Sequence, residues 1–241
     1  MGIGRVLFCS QELAVWNVEL LTIFPKIFES FLGATLVAKA IERGLFSPTV
    51  TNIRDFSDPP HHKVDDTPYG GGAGMVMLPE PLMRCIEAAK ARRPDARVVL
   101  FSPAGERLTQ QKCHELSKCE SLIFVCCRYE GVDQRVVDLA VDEEISIGDF
   151  VVMGGEVPAM LTIEACLRLR PEVLHNADSV LHESFSPHLG EDAHIEAPQY
   201  TRPEVFRGVP VPEVLLSGNH KAITEYRRRE SIRLSKQRAR S

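Results

Sequence analysis

Short runs of β-branched and aromatic residues alternate with segments of helical apolar spacing along most of this chain. Residues 18–24, 48–54, 97–102, 121–127 and 144–153 read as strands, because Val, Ile, Leu and Phe crowd them and proline, glycine or polar clusters bound them. Between the strands, Ile27, Phe28, Phe31, Leu32, Val37, Ala40 and Ile41 keep helical spacing, as do residues 79–92, 106–119 and 132–140. A further helix follows Gly154-Gly155. Pro158 fits its first turn, where a missing N–H costs nothing, and Met160, Leu161, Ile163, Ala165, Cys166, Leu167 and Leu169 give it a broad apolar face. Strands alternating with helices predict an α/β fold with a mainly parallel sheet covered on both faces. In such sheets ligands gather at the carboxyl ends of the strands.

Three loops stand at those ends: Ser102-Pro103-Ala104-Gly105, Arg128-Tyr129-Glu130-Gly131 and Gly154-Gly155-Glu156. Taken alone, the first reads as a proline turn and the third as a tight turn between packed elements. The second places an Arg, a Tyr and a Glu at the mouth of the sheet. A fourth loop, residues 55–74, is long and polar and carries His61, His62, Asp65, Asp66 and the run Tyr69-Gly70-Gly71-Gly72-Ala73-Gly74. Loops of this length in a compact domain are usually functional or disordered. The run completes neither GxGxxG nor GxxxxGK[ST], which weakens a reading as a nucleotide-hydrolysing enzyme.

The texture changes after Pro171. Residues 172–197 are polar and read as a mobile linker, and residues 198–241 as a small, mostly helical second domain with a helix over 219–234. Its tail is basic: Lys221, Arg227, Arg228, Arg229, Arg233, Lys236, Arg238 and Arg240 face only Glu225 and Glu230. The net charge of −5 excludes a uniformly basic coat but leaves room for such a local patch, because phosphate attraction acts over about 10 Å. A non-catalytic RNA-binding module is therefore a competing reading. Seven cysteines lie scattered without a CxxC or zinc spacing and read as reduced core thiols. No apolar run approaches the roughly 20 residues that span a bilayer, and no signal peptide is evident, so the expected location is the cytoplasm.

Ser146-Ile147-Gly148-Asp149-Phe150, followed by Gly154-Gly155-Glu156-Val157-Pro158-Ala159, resembles the signature segment of the bacterial tRNA (guanine-N1)-methyltransferases. The resemblance extends in order through Asp65-Asp66-Thr67-Pro68-Tyr69 and its glycine run, Cys126-Cys127-Arg128-Tyr129-Glu130-Gly131, Tyr200-Thr201-Arg202-Pro203-Glu204-Val205, Pro212-x-Val214-Leu215 and Ser217-Gly218-Asn219-His220. It spans residues 16–235. The family begins near Trp16, so residues 1–15 read as an N-terminal extension, with Val15 as the expected start. Cys127 replaces a glycine of the family pattern, a change that is tolerated where the backbone does not need positive φ.

The resemblance implies a SPOUT-type deep trefoil knot in residues 16–171, a homodimer with sites between subunits, and methylation at N1 of the guanine just 3′ of the anticodon, position 37. It implies S-adenosylmethionine as donor, held by Leu100, Ser102, Pro103 and Gly105, by Cys127, Tyr129, Glu130 and Gly131, and by Ile147, Gly148, Asp149, Phe150, Val151, Val152, Gly154, Gly155 and Pro158. A magnesium requirement is also implied, with no ligand set in the sequence. Tyr69, Gly72, Ser184, Arg202, Arg227 and Arg228 fall at positions expected to meet the tRNA. Guanine N1 carries a proton at neutral pH, so a base must remove it. Glu183 stands where the family has an aspartate and takes that role, with Asp178 and His182 as alternatives. Arg168 corresponds to an arginine near the guanine and would stabilise charge developing on O6.

Overall fold

The computed structural model describes residues 14–175, 183–186, 189 and 194–239. Asp178, His182 and Arg240 lie outside the described residues, as does the extension up to residue 13. The chain divides into two compact units, Met1–Leu174 and His175–Ser241.

The first unit runs β1 (Trp16–Thr22), a 3-10 turn (Pro25–Phe28), α1 (Glu29–Leu32), α2 (Thr35–Glu42), β2 (Phe46–Asn52), a second 3-10 turn (Ile53–Phe56), β3 (Asp65–Asp66) and β4 (Val76–Met77). It continues with α3 (Pro79–Arg92), β5 (Arg97–Arg107), α4 (Gln110–Lys118), β6 (Ser121–Val125), α5 (Gln134–Ala140), β7 (Glu143–Ser146) and α6 (Glu156–Leu167). Five strands form one sheet in the order β2-β1-β6-β5-β7, and every pairing in it is parallel. Alternation along the strands sorts the core into two layers. Trp16, Val18, Leu20, Phe101, Leu122, Phe124 and Ile145 pack with Val37, Leu116, Ala159 and Ile163 on one face. Leu21, Val98, Leu100, Ile123 and Val125 pack with Leu82, Ile86 and Val136 on the other. The expected sheet covered on both faces is what forms.

Four local expectations are corrected. The helix expected through Ile27–Ile41 is broken, because Ala34 is extended and Thr35 adopts φ 58°. The strand expected over residues 97–102 does not stop there: Phe101 and then Glu106 both pair with Ile145, so Ser102-Pro103-Ala104-Gly105 loops out of a strand that resumes. That resumption delays α4 until Thr109, whose side chain accepts from Lys112 N and caps it. The strand expected over residues 144–153 ends at Ser146. Ser146 Oγ accepts from Gly148 N, Gly148 adopts φ 146°, and Val151 and Met153 are 85% and 88% exposed, so these apolar residues rim a cavity rather than pair in the sheet.

In the second unit, Val205–Phe206 and Val209–Pro210 form a hairpin, and Glu213–Leu216 is one helical turn. The final helix, His220–Arg238, starts where Asn219 Oδ1 accepts from Ala222 N and runs four residues beyond the expected 234. Buried Ser231 and Ser235 tie residues 194–195 to it: Ser235 Oγ accepts from His194 N and Ile195 N, and Ser231 Oγ donates to Ile195 O.

Candidate active site

A cavity of about 250 Å³ opens at the carboxyl ends of β6 and β7 and at the interruption within β5. Phe101, Ser102 and Pro103 reach it from the loop inside β5, and Cys127, Tyr129, Glu130 and Gly131 from the loop after β6. Ile145 to Ile147, Phe150 to Gly155 and Pro158 complete its wall. The three loops singled out in the sequence thus meet at one place.

Two glycines allow the loops to close. A Cβ on Gly155 would lie 2.7 Å from Cys126 Cα, and Gly155 N donates to Cys127 O at 2.8 Å. A Cβ on Gly105 would lie 2.4 Å from the Ile145 nitrogen. Both contacts are with backbone, which cannot swing aside. Tyr129 carries φ 62° at the cavity edge, a conformation that a bulky residue adopts at a cost and that clusters at ligand sites.

Cys127 is not among the positive-φ residues, so its side chain fits where the family pattern has glycine. Its Sγ lies 3.4 Å from Phe101 O as donor, and burial, followed by the neighbouring Glu156 carboxylate, pushes the thiol up to about 11. Cys85, Cys113, Cys126 and Cys166 are buried and unbridged, in line with reduced core thiols.

Beneath the cavity sits a buried charge. Glu156, fully buried at the start of α6, accepts from Thr22 Oγ1 at 2.8 Å, and its Oε2 lies 2.8 Å from Arg128 Nε. Those two atoms attract as ions without hydrogen-bond alignment. The Arg128 guanidinium also lies over the Phe24 ring, 4.9 Å from its centroid. The network joins the end of β1, the loop after β6 and the start of α6, and so fixes the floor of the site. The glycine loop joins the same edge: Glu130 N donates to Met75 O, Met77 N donates to Gly131 O, and the Glu130 side chain packs on Gly74.

Four expected donor residues stand off the cavity wall. Leu100 is buried in the sheet, Gly105 packs on β7, Gly148 lies in the turn before Phe150, and Asp149 points outward beside Arg107 at 3.5 Å. Phe101, Ile145, Ser146 and Met153 were missed; they belong to strand ends and rims that only tertiary packing reveals. Arg168 caps the far end of α6, about 15 Å from Pro158 at the rise of a helix, so one chain does not bring it to the cavity. Tyr69 is fully exposed and Gly72 is exposed on the glycine loop.

In the second unit Glu183 is half-buried, with its carbonyl accepting from Ser186 N. Ser184 Oγ accepts from Glu196 N, and Phe185 lies under the Arg238 guanidinium, 4.8 Å from the ring centroid. Arg202, Arg227 and Arg228 are exposed. No group of three or more His, Cys, Asp or Glu side chains among the described residues converges in a way that could hold a metal ion. No helix among them is long and apolar enough to cross a membrane.

The profile of the family described as tRNA (Guanine-1)-methyltransferase TrmD matches residues 16–241. The chain belongs to that family. It is 51% identical to a tRNA (guanine-N(1)-)-methyltransferase of Anaeromyxobacter sp. (strain K) over 94% of this chain and 90% of the relative. It is 52% identical to the protein of that name in Myxococcus xanthus (92% and 88% covered), and 50% identical to that of Geobacter sulfurreducens (90% and 87%). The cavity residues all fall within the segment that the methyltransferase family profile spans.

Proposed function

We propose that this chain transfers a methyl group from S-adenosylmethionine to N1 of guanine 37 in tRNA, acting as a cytoplasmic homodimer. The observation that carries the reading is the cavity at the ends of β6 and β7 and the break in β5, walled by the three loops that hold the family motifs. Its chemistry suits the donor. Phe101, Ile145, Val152 and Pro158 offer apolar surface to an adenine ring, strand-end backbone groups offer hydrogen bonds, and Glu130 offers a negative charge. When bound, S-adenosylmethionine supplies an electrophilic methyl group on a positive sulfonium.

The chain's own groups do the rest. Glu183 takes the proton from guanine N1, leaving the nitrogen lone pair free for the methyl group, an effect typically worth 10²–10⁴-fold. Arg168 meets the negative charge that collects on O6. Glu130 opposes the positive charge of the donor, and the arginines of the final helix hold the RNA backbone.

The separation of Arg168 from the cavity along α6 supports a site completed by a second subunit. So does an exposed apolar surface at its rim: Phe150, Val151, Met153, Val157 and Leu161. The family's trefoil knot is part of this reading, supported by the loop of Ser102–Gly105 packed on β7 and by the Gly155–Cys127 tie. The test is transfer from labelled S-adenosylmethionine to tRNA carrying guanine or adenine 3′ of the anticodon. The reading expects 1-methylguanosine at that site with guanine alone; label at another position or atom contradicts it.

A further inference from the structure

The C-terminal unit contains a second cavity, of about 420 Å³, inside the range of about 300–1,000 Å³ usual for small-ligand pockets. It lies within that unit, between residues 198–216 and the final helix. Its walls divide by chemistry. Val211, Leu215, Leu216 and Ile223 give an apolar floor, while Arg202 and Arg227 bring two guanidinium groups and Tyr200 an aromatic wall. Ile223 and Arg227 are one helical turn apart, so the floor and one cation share a helix face. Tyr200 is 46% exposed and meets the Tyr226 hydroxyl, which burial first, and then that contact, holds above its ordinary pKa. Among the described residues lining the cavity, Glu204 is the one carboxylate.

An apolar floor beside two guanidiniums is not suited to a phosphate alone or to a plain hydrocarbon. It suits a nucleotide, whose base stacks on aromatic and apolar surface while its phosphate meets arginine. A carboxylate adds a preference, since the Watson–Crick edge of guanine offers it two adjacent N–H donors while uracil offers one. We infer that this cavity captures one unpaired guanosine nucleotide of the RNA, distinct from the guanine that is methylated, with the base against Tyr200 and the Leu215–Ile223 floor, its edge on Glu204 and its phosphate between Arg202 and Arg227. The inference rests on the tRNA reading above and names the feature by which the C-terminal unit recognises sequence rather than charge alone.

The experiment is equilibrium binding of tRNA to the full chain across a salt series, with Tyr200→Ala, Tyr200→Phe, Glu204→Gln, Arg202→Ala and, outside the cavity, Arg228→Ala. Both Tyr200 and Glu204 are exposed, so these changes are mild for folding, and unchanged circular dichroism of the final helix checks it. Tyr200→Ala is expected to weaken binding about 10–100-fold with an unaltered salt slope, since a stacked base is lost and no phosphate contact, while Tyr200→Phe stays close to wild type. Glu204→Gln is expected to weaken it about 5–100-fold, again without moving the slope. Arg202→Ala lowers both the affinity and the slope, by about one unit of slope. Wild-type affinity in both Tyr200→Ala and Glu204→Gln overturns the inference while leaving the methyltransferase reading intact. A wild type that binds no tRNA removes both. Guanosine monophosphate alone distinguishes the source of the nucleotide: binding at millimolar concentration or weaker agrees with a segment of RNA, and micromolar binding that leaves tRNA affinity unaffected overturns it in favour of a free nucleotide.

Discussion

The two units are held together by different means. In the sheet unit the buried side chains are mostly apolar, with Trp16, Leu20, Phe46 and Phe124 among those at 2% exposure or less. Each such side chain contributes about 1.5–3 kcal/mol on burial. Among the described residues of the C-terminal unit, Ala197 is the single buried apolar residue, and the others buried there are Ser186, Ser231 and Ser235. One unit is shaped by packing, and the other by serine hydrogen bonds and a charged helix. The difference matches what each is proposed to hold. A small donor needs rigid walls placed to within fractions of an ångström, whereas a long polyanion is gathered by clustered cations over a wide surface.

The sharpest way to break that contrast is to remove the charge buried under the first cavity. Glu156→Ala leaves Arg128 without its partner and should destabilise the sheet unit on the order of 3 kcal/mol. The low end applies because Arg128 keeps 20% of its side chain in solvent. Urea denaturation measures it, and a loss under 1 kcal/mol would mean that the pair does not set the floor. Gly155→Ala comes next, at about 1–3 kcal/mol, because the new methyl group meets the Cys126 backbone. Calorimetry should show S-adenosylmethionine binding weakened in step with it.

On the other unit, Arg228→Ala should lower tRNA affinity only modestly and its salt slope by about one, with donor binding unaltered. An unchanged slope would take Arg228 out of the RNA contact. The smallest effect belongs to Cys127. A thiol raised to about 11 stays protonated at pH 8, so iodoacetamide should spare it there. Because the folded chain binds that proton more tightly than the unfolded one, Cys127 contributes stability that is full below about pH 9 and falls as the pH rises towards 11. Rapid labelling at pH 8, read by peptide mass, would show the thiol is not buried as described.

The alternation of strands and helices was legible because each buried strand needs a dense apolar run and each covering helix an apolar face. What misled was the residue type at the rim. Val151 and Val152 carry the β-branched signature of a strand, yet they are 85% and 38% exposed and line a cavity, and local preference cannot tell one fate from the other. The loop at Ser102–Gly105 was legible as a turn but not as an interruption inside β5, because the resumed pairing of Glu106 with Ile145 depends on a strand about forty residues away. Glu156 read as part of a motif, while its burial depends on Arg128 and Thr22, both distant in sequence. The second cavity is assembled from the stretch before the hairpin, one helical turn and one helix face, none of which announces a site alone.

Single-turnover methyl transfer to tRNA by Glu183→Gln, with S-adenosylmethionine and tRNA binding followed in parallel, separates loss of the base from loss of binding. With both ligands still bound at wild-type affinity, the account predicts a rate about 10²–10⁴-fold lower, since the base is lost and the two holding surfaces are intact. A rate equal to wild type would contradict it and move the proton from Glu183 to another group.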